Sequence, residues 1–538
     1  MFLNETPSVI QKARAKPKSN GVQKDLQQIA LTPNPDDAEA MLFSLNSLRE
    51  DIEGDDEALW KPLASGNFQS SLYTGLLPKV DDIATNFFVS NYVVHLDSAG
   101  GPLQGYTNFW GDTMDDALAG SVKAIGLAGL ATLSGAPDLL EAARTRYTKA
   151  IRLTNAALQS PTEVKKDSTL LSVMILGNFE AIAGNDRQSL VSWANHIDGA
   201  AALIGLRGRK QLFSADGRRL FIQVTSALVT SCLQRSKPVP KHIKDLREEA
   251  AKHVYDPTDP AWRIQDAMFK FTDLHAHTDH GLISDPEEIL AKALEIEETI
   301  HSCTDGSRLY WQWETVYTDK DPDIVFAGYY HVYKSYGAAQ TWNGIRAIRL
   351  MLHEMIRKTI IYGMTSPSNP FADPKYHQLL QKSIDTEFQM HADILASVPQ
   401  HLGYPFRYPV SKPEHQTTDA FLWSAFEEVK MNSQQSERTS ISDQYTPFVR
   451  ASGSYLLPWA LYLTGVWEYA RPQVRDWIVN VLRVVGQQTG IQQATLLANI
   501  MDEMKVAGHA ASVSGPTHLH KKLGEDKQTA MPTTPVLS

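Results

Sequence analysis

The chain has 538 residues, 43% of them hydrophobic and 21% charged, with a formal net charge of -10. That length allows a large core and, on length alone, roughly three domains at ~150 residues each. The acidic balance excludes a surface that binds nucleic acid throughout, because phosphate binding needs clustered Lys and Arg.

The opening, MFLNETPSVIQKARAK, is charged and has no apolar h-region, so it does not read as a signal peptide. Residues 1–35 carry Lys12, Arg14, Lys16, Lys18 and Lys24 between Pro7, Pro17, Pro33 and Pro35, the pattern of a flexible basic lead-in. Residues 36–53 are compatible with a helix. The acidic run Glu50, Asp51, Glu53, Asp55, Asp56 and Glu57, flanked by Leu48, Ile52, Leu59 and Trp60, has the composition of an activation segment, although a solvated linker is the commoner meaning.

Amphipathic helices are predicted from there to residue 508. They fall at 79–97, 113–133, 137–159, 163–183, 188–205, 216–234, 261–278, 286–302, 376–397, 448–468, 472–487 and 490–507, with Pro and Gly in the gaps. The clearest is 137–159, where Ala143, Tyr147, Ala150, Ile151, Thr154 and Leu158 share one face. No alternating runs joined by a hairpin signal and no βαβ pattern are legible. The predicted class is therefore all-α, a large irregular helical bundle or array of helical hairpins without substantial β-sheet. Residues 36–508 form one predicted domain, with long loops at 366–375 and 400–446 and a polar, disordered tail at 509–538. No apolar run of ~18 residues stands out, so no membrane-spanning helix is expected.

The organising stretch is 329–357, expected as one long helix. Ile345, Ile348, Leu352, Met355 and Ile356 make an apolar stripe, and Arg346, Arg349, His353 and Arg357 a neighbouring polar one. Tyr329, Tyr330, Val332, Tyr333, Tyr336, Ala338 and Ala339 are apolar all round, as in a helix buried at the centre of a large core. The charged half is expected to face a groove or a partner.

Several motifs resemble chemistry. His275, His277, Asp279 and His280 have the spacing of a two-zinc hydrolase motif, three imidazoles and a carboxylate able to activate a water. That motif needs a preceding strand; here it closes a helix, and a polar helix end is the preferred meaning. Asn185, Asp186 and Ser189 begin a Mg²⁺ motif that requires Glu at 193, where Trp193 stands. Its aspartate-rich partner fails too, with Thr85 after Asp81 and Asp82. Residues 205–210 lack the glycine spacing of a phosphate loop and read as a helix stopped by Gly208, with Arg207 and Arg209 at its negative end. Ser452 and Ser454 have no strand–turn–helix context for a nucleophile. Cys232 and Cys303 are the two cysteines, a usage that suits the reducing cytosol or nucleus and excludes a disulfide framework or a cysteine zinc site.

Taken in order, several stretches resemble the regulatory domain of the fungal zinc-cluster transcription factors. YTKAIRLTNAALQSPTEVKKDSTLLSVMILGNFEAI carries Tyr147, Ala150, Asn155, Ala156, Leu158, Asp167, Leu170, Leu171 and Glu180. WANHIDGAAALIGLRG carries Trp193, His196, Gly199, Ala200, Arg207 and Gly208. Two later pieces, Trp342 to Arg349 and ASGSYLLPWALYLTG with Trp459, extend the resemblance over roughly 75–505. The first sixteen residues are similar to the stretch that follows the family's six-cysteine cluster, which binds two Zn²⁺ and sets a helix in the DNA major groove. The resemblance thus implies a nuclear, non-enzymatic regulator whose reader cluster is absent from this chain, with zinc expected only if an upstream cysteine cluster exists. It implies partners in the transcription machinery or a homo- or heterodimer, a small-molecule effector, weak and salt-sensitive DNA binding at most, and no membrane. Tyr147, Asp167, Glu180, Trp193, His196, Gly199, Arg207, Trp342, Arg346 and Trp459 are expected to be structural motif positions. In the helix that carries Trp193, Gly199 is expected to mark close approach of a second helix, with His196 bonding across the contact.

Overall fold

The computed structural model describes residues 79–92, 114–253, 259–304, 312–333, 336–404 and 457–506. The predicted lead-in, the acidic run, the 400–446 loop beyond Tyr404, Ser452, Ser454 and the tail lie outside the described residues. Among those described, fourteen α-helices and one two-stranded sheet form the regular structure, so the fold is predominantly all-α. Contacts divide the chain into two compact units.

The first unit runs to Val224 and includes Val485–Leu496. Its helices are α1 (Val80–Tyr92), α2 (Asp116–Ser134), α3 (Pro137–Gln159), α4 (Asp167–Ala183), α5 (Arg187–Arg207) and the first half of α6 (Ala215–Gln234). The Asp115 carboxylate caps α2 by accepting from the Leu118 amide at 2.9 Å, and Gly135 ends it at a φ of 62° that only a glycine adopts cheaply. Pro137 then opens α3 at a position where its missing N–H costs nothing. α2 packs against α1, α3 and α4. It is also long and apolar enough to cross a membrane, contrary to the sequence expectation, but 61% of that window is buried against its neighbours.

Close approach to α2 depends on its glycines. A Cβ added at Gly126 would stand 1.9 Å from the Ala84 carbonyl oxygen, and one at Gly129 would stand 2.1 Å from the Tyr92 hydroxyl. At Gly199, where the sequence suggested close contact, an added Cβ would meet only Val173 Cγ1 at 3.9 Å. The tight glycine of that pair is Gly177 on α4, whose Cβ would lie 3.0 Å from that of His196. Gly126→Ala should therefore destabilise by about 1–3 kcal/mol through overpacking against backbone. Gly199→Ala should instead stabilise by up to about 1 kcal/mol from helix propensity alone. Urea denaturation of the two variants tests this; the same sign for both would refute it.

The second unit contains the rest of α6, α7 (Lys241–His253), α8 (Pro260–Asp279), α9 (Pro286–Thr304), β1 (Trp313–Tyr317), β2 (Tyr329–Tyr333), α10 (Tyr336–Thr365), α11 (Lys375–His401) and α12 (Leu457–Val466). Portions of α13 (Pro472–Thr489) and α14 (Gln492–Val506) complete it. α10 is central here, touching α8, α9, α11, α12 and β2.

The predicted helix over 329–357 needs correction at its start. Tyr329–Tyr333 is a strand, antiparallel to β1, with Trp313 opposite Tyr333 and Tyr317 opposite Tyr329. A short run apolar on all sides suits a buried strand as well as a helix, and YYHVY is aromatic and β-branched, as strands prefer. Its partner WETVY offers the complementary edge, and the connection turns through Asp321, Ala327 and Gly328 at positive φ. α7 escaped the sequence analysis because its buried face is a single narrow stripe, Ile243, Arg247 and Ala250, with a cation in the middle.

Candidate functional site

Two buried polar clusters stand out, one in each unit. In the first, α3 supplies Tyr147, α4 supplies Glu180 and α5 supplies His196. The Tyr147 hydroxyl donates to Glu180 Oε1 at 2.5 Å and lies 3.2 Å from His196 Nε2. Since the phenol has one proton and gives it to the carboxylate, its oxygen accepts from His196, which fixes the Nε2–H tautomer. Phe179 stacks on the Tyr147 ring at 4.2 Å. Burial lowers His196 to about 3, so it stays neutral. Burial also raises Tyr147 well above the ordinary phenol range, helped by Glu180. Burial raises Glu180 to about 7, with Asp186 adding to the effect and Tyr147 opposing it. Nearby, Arg207 at the end of α5 pairs with Asp167 at the start of α4, and Ser168 donates to Asp115 at 2.5 Å.

The second cluster is a ladder of cations along α10. Arg349 Nη2 donates to Glu297 on α9 at 2.5 Å, and His353 Nε2 lies 3.3 Å from the same carboxylate. Burial tends to raise Glu297, yet His353 and Arg349 outweigh it and hold the group at about 2. Arg357 Nε donates to Glu387 on α11 at 2.8 Å and its Nη2 to Glu468 at 3.0 Å. Trp467 Nε1 donates to the other Glu387 oxygen at 2.8 Å. Asn343 donates to Ser397 at 2.9 Å and lies 3.0 Å from His401 Nε2. Arg346 is fully buried beside Tyr333 and Asp393. The polar stripe of 346–357 therefore faces carboxylates on neighbouring helices. The expectation that it looks into a groove or toward a partner is overturned for these residues.

Residues 113–234 match the family model of the fungal specific transcription factor domain. Over that segment the chain is similar to the fungal specific transcription factor domain. An uncharacterized protein of Emericella nidulans is 30% identical over 128 residues, which is 24% of this chain and 27% of that relative's length. The chain thus spans about a quarter of the relative it matches. No solved structure matches.

The Tyr147–Glu180–His196 cluster and the Arg207–Asp167 pair all lie inside the domain. Trp193 is only half-buried, and Gly199 faces open space apart from Val173. Trp342 and Arg346 come together in the second unit, while Trp459 stacks on Tyr462 at 5.6 Å elsewhere in it. Asp186 caps α5 by accepting from the Ser189 amide at 2.9 Å, and Asp81 pairs with Lys123 and Arg146, so these acids hold helices together. His275, His277, Asp279 and His280 occupy the last turn and end of α8. Among the described residues, no three His, Cys, Asp or Glu side chains converge to hold a metal ion. Cys232 and Cys303, buried on α6 and α9, do not supply the six thiolates of a binuclear zinc cluster. The acidic partners Glu297, Glu387 and Asp393 were missed in the sequence. The available signal was register: Glu387 falls on the stripe of Ser383, Met390 and Ile394, a carboxylate among core positions.

The first cluster should leave a pH signature. Glu180 titrates at about 7 when folded against an ordinary 4.5, so its contribution is full below 4.5 and is lost as pH rises to about 7. His196 acts in the opposite direction, losing stability as pH falls from 6.5 toward 3. Glu180→Gln should thus gain on the wild type as pH rises from 4.5 to 7, with no further gain above 8. Denaturation at pH 4.5, 6 and 8 measures it; a constant offset would contradict the assignment.

Proposed function

We propose that this protein is a nuclear, non-enzymatic transcriptional regulator. The match of residues 113–234 to the fungal specific transcription factor domain carries the reading. The polar clusters inside that segment support it, because Tyr147, Glu180 and His196, and Arg207 with Asp167, join helices to one another. In this reading the helical units supply protein contacts, to the transcription machinery or to a dimer partner, and respond to a small effector. DNA is reached through those partners, as the chain carries two cysteines and a net charge of -10. The test fuses the full chain to a heterologous DNA-binding domain upstream of a reporter in a fungal host. A change in reporter transcript that disappears when 113–234 is disrupted by Gly126→Leu is expected. An unaltered transcript, with the fusion present in the nucleus, would refute the proposal.

A further inference from the structure

The elbow between α5 and α6, residues 207–219, carries five cations and one acid in a chain whose net charge is -10. Its backbone is firmly held. The Gln211 side-chain amide donates to the Ile204 and Gly208 carbonyls at 2.8 Å each, and Leu212 is buried. Arg218 Nη1 donates to the Leu212 carbonyl at 3.1 Å. This anchoring leaves Phe213 67% exposed, beside the exposed Arg209 and Lys210. Ser214 accepts from the Gly217 amide at 3.0 Å, so the positive end of α6 opens at the same corner. Asp216, the one acid, pairs with Arg219 at 3.1 Å. An aromatic ring held outward among cations has the composition of an interface anchor.

The complementary composition stands in the same chain. Residues 48–60, outside the described residues, carry six acids and one cation, with Leu48, Ile52, Leu59 and Trp60 among them. Five cations against one acid make the elbow +4, and one cation against six acids makes this segment -5. Reach does not limit the contact. The twenty Cα steps from Trp60 to Val80, where α1 starts, span at most about 65–70 Å. A compact unit of roughly 240 residues measures about 45 Å across. A covalent connection of that length keeps segment and elbow at an effective concentration on the order of millimolar. A contact of modest intrinsic affinity therefore stays closed.

We propose that residues 48–60 dock on the Arg209–Lys210–Phe213 face of this elbow within the same chain. Carboxylates of the run meet the cations, and its apolar side chains cover the Phe213 ring. Docking is independent of the regulator reading, since it can hold in a chain that leaves the reporter unchanged, and the reverse.

The test compares the full chain with a form whose six acids at 50–57 are replaced by Asn and Gln. A fluorescent peptide of residues 45–62 is titrated into each and followed by anisotropy. The neutralised chain should bind the peptide, and the wild type should bind it about tenfold or more weakly, because its own segment competes. Phe213→Ser with Lys210→Glu, both at exposed positions that leave the fold intact, should abolish peptide binding by the neutralised chain. Carbodiimide, which joins carboxylates to amines, should link 50–57 to Lys210 in monomeric wild type at about 0.1 M salt. The link should fade at about 1 M, as the screening length falls from about 10 Å to 3 Å. Equal peptide binding by the two chains, or binding by neither, would overturn the docking. So would binding that survives the double change, or a Lys210 link confined to a cross-linked dimer.

Discussion

Replacing Arg357 with methionine is expected to cost about 3–5 kcal/mol of stability, the penalty for leaving a buried charge without its partner. The stranded group is Glu387, whose side chain is fully buried and would keep only the Trp467 N–H. The loss should be largely recoverable. Arg357→Met combined with Glu387→Gln removes both charges and keeps an acceptor for the indole, so the pair should regain most of the stability lost by the single change. Denaturant midpoints of the two singles and the double provide the cycle. If the double were as unstable as the sum of the singles, Arg357 would owe its effect to packing over the Tyr469 ring, 4.8 Å away, and the ion pair would be incidental.

Trp342→Ala should cost a similar amount, about 3–5 kcal/mol, by opening a cavity at the start of α10. The indole is buried, meets Trp313 edge-on at 4.9 Å and flanks Arg346. Its loss therefore also loosens the β1–β2 hairpin from the helices. Trp342→Phe, which keeps a ring there, should cost less. A thermal midpoint unchanged by Trp342→Ala would show that the hairpin is held by Gln400 and Tyr333 alone.

Most of the helical framework was legible because its signal is local. The span 137–159 shows a clean 3.6-residue stripe, and the structure places α3 at Pro137–Gln159. Gly208 was legible as the stop of its helix, and the structure ends α5 there. Failures came where the deciding interaction is distant in sequence. YYHVY became a strand because WETVY, more than ten residues away, pairs with it. The arginines of α10 were expected to face a groove or a partner because nothing in their own helix reveals Glu297, Glu387 or Asp393. Gly199 and Gly177 look alike in the sequence, and only the partner helix shows which one is crowded. The Tyr147–Glu180–His196 cluster lay between these cases. Its members were singled out by resemblance, while their mutual bonding depends on three helices meeting.

The first unit is closed by residues that arrive very late. Val485–Leu496 belongs to it, the Thr489 carbonyl accepts from the Tyr92 hydroxyl at 3.3 Å, and the turn at Gly490, with φ of 77°, rests against Gly129. A ribosome adding about 5–20 residues per second releases that segment on the order of a minute after α1 and α2. Until then α1 and α2 lack the Thr489–Gly490 turn that packs on Tyr92 and Gly129. Biogenesis is thereby tied to translation of the whole chain, and a fragment ending at residue 234 inherits an unfinished surface.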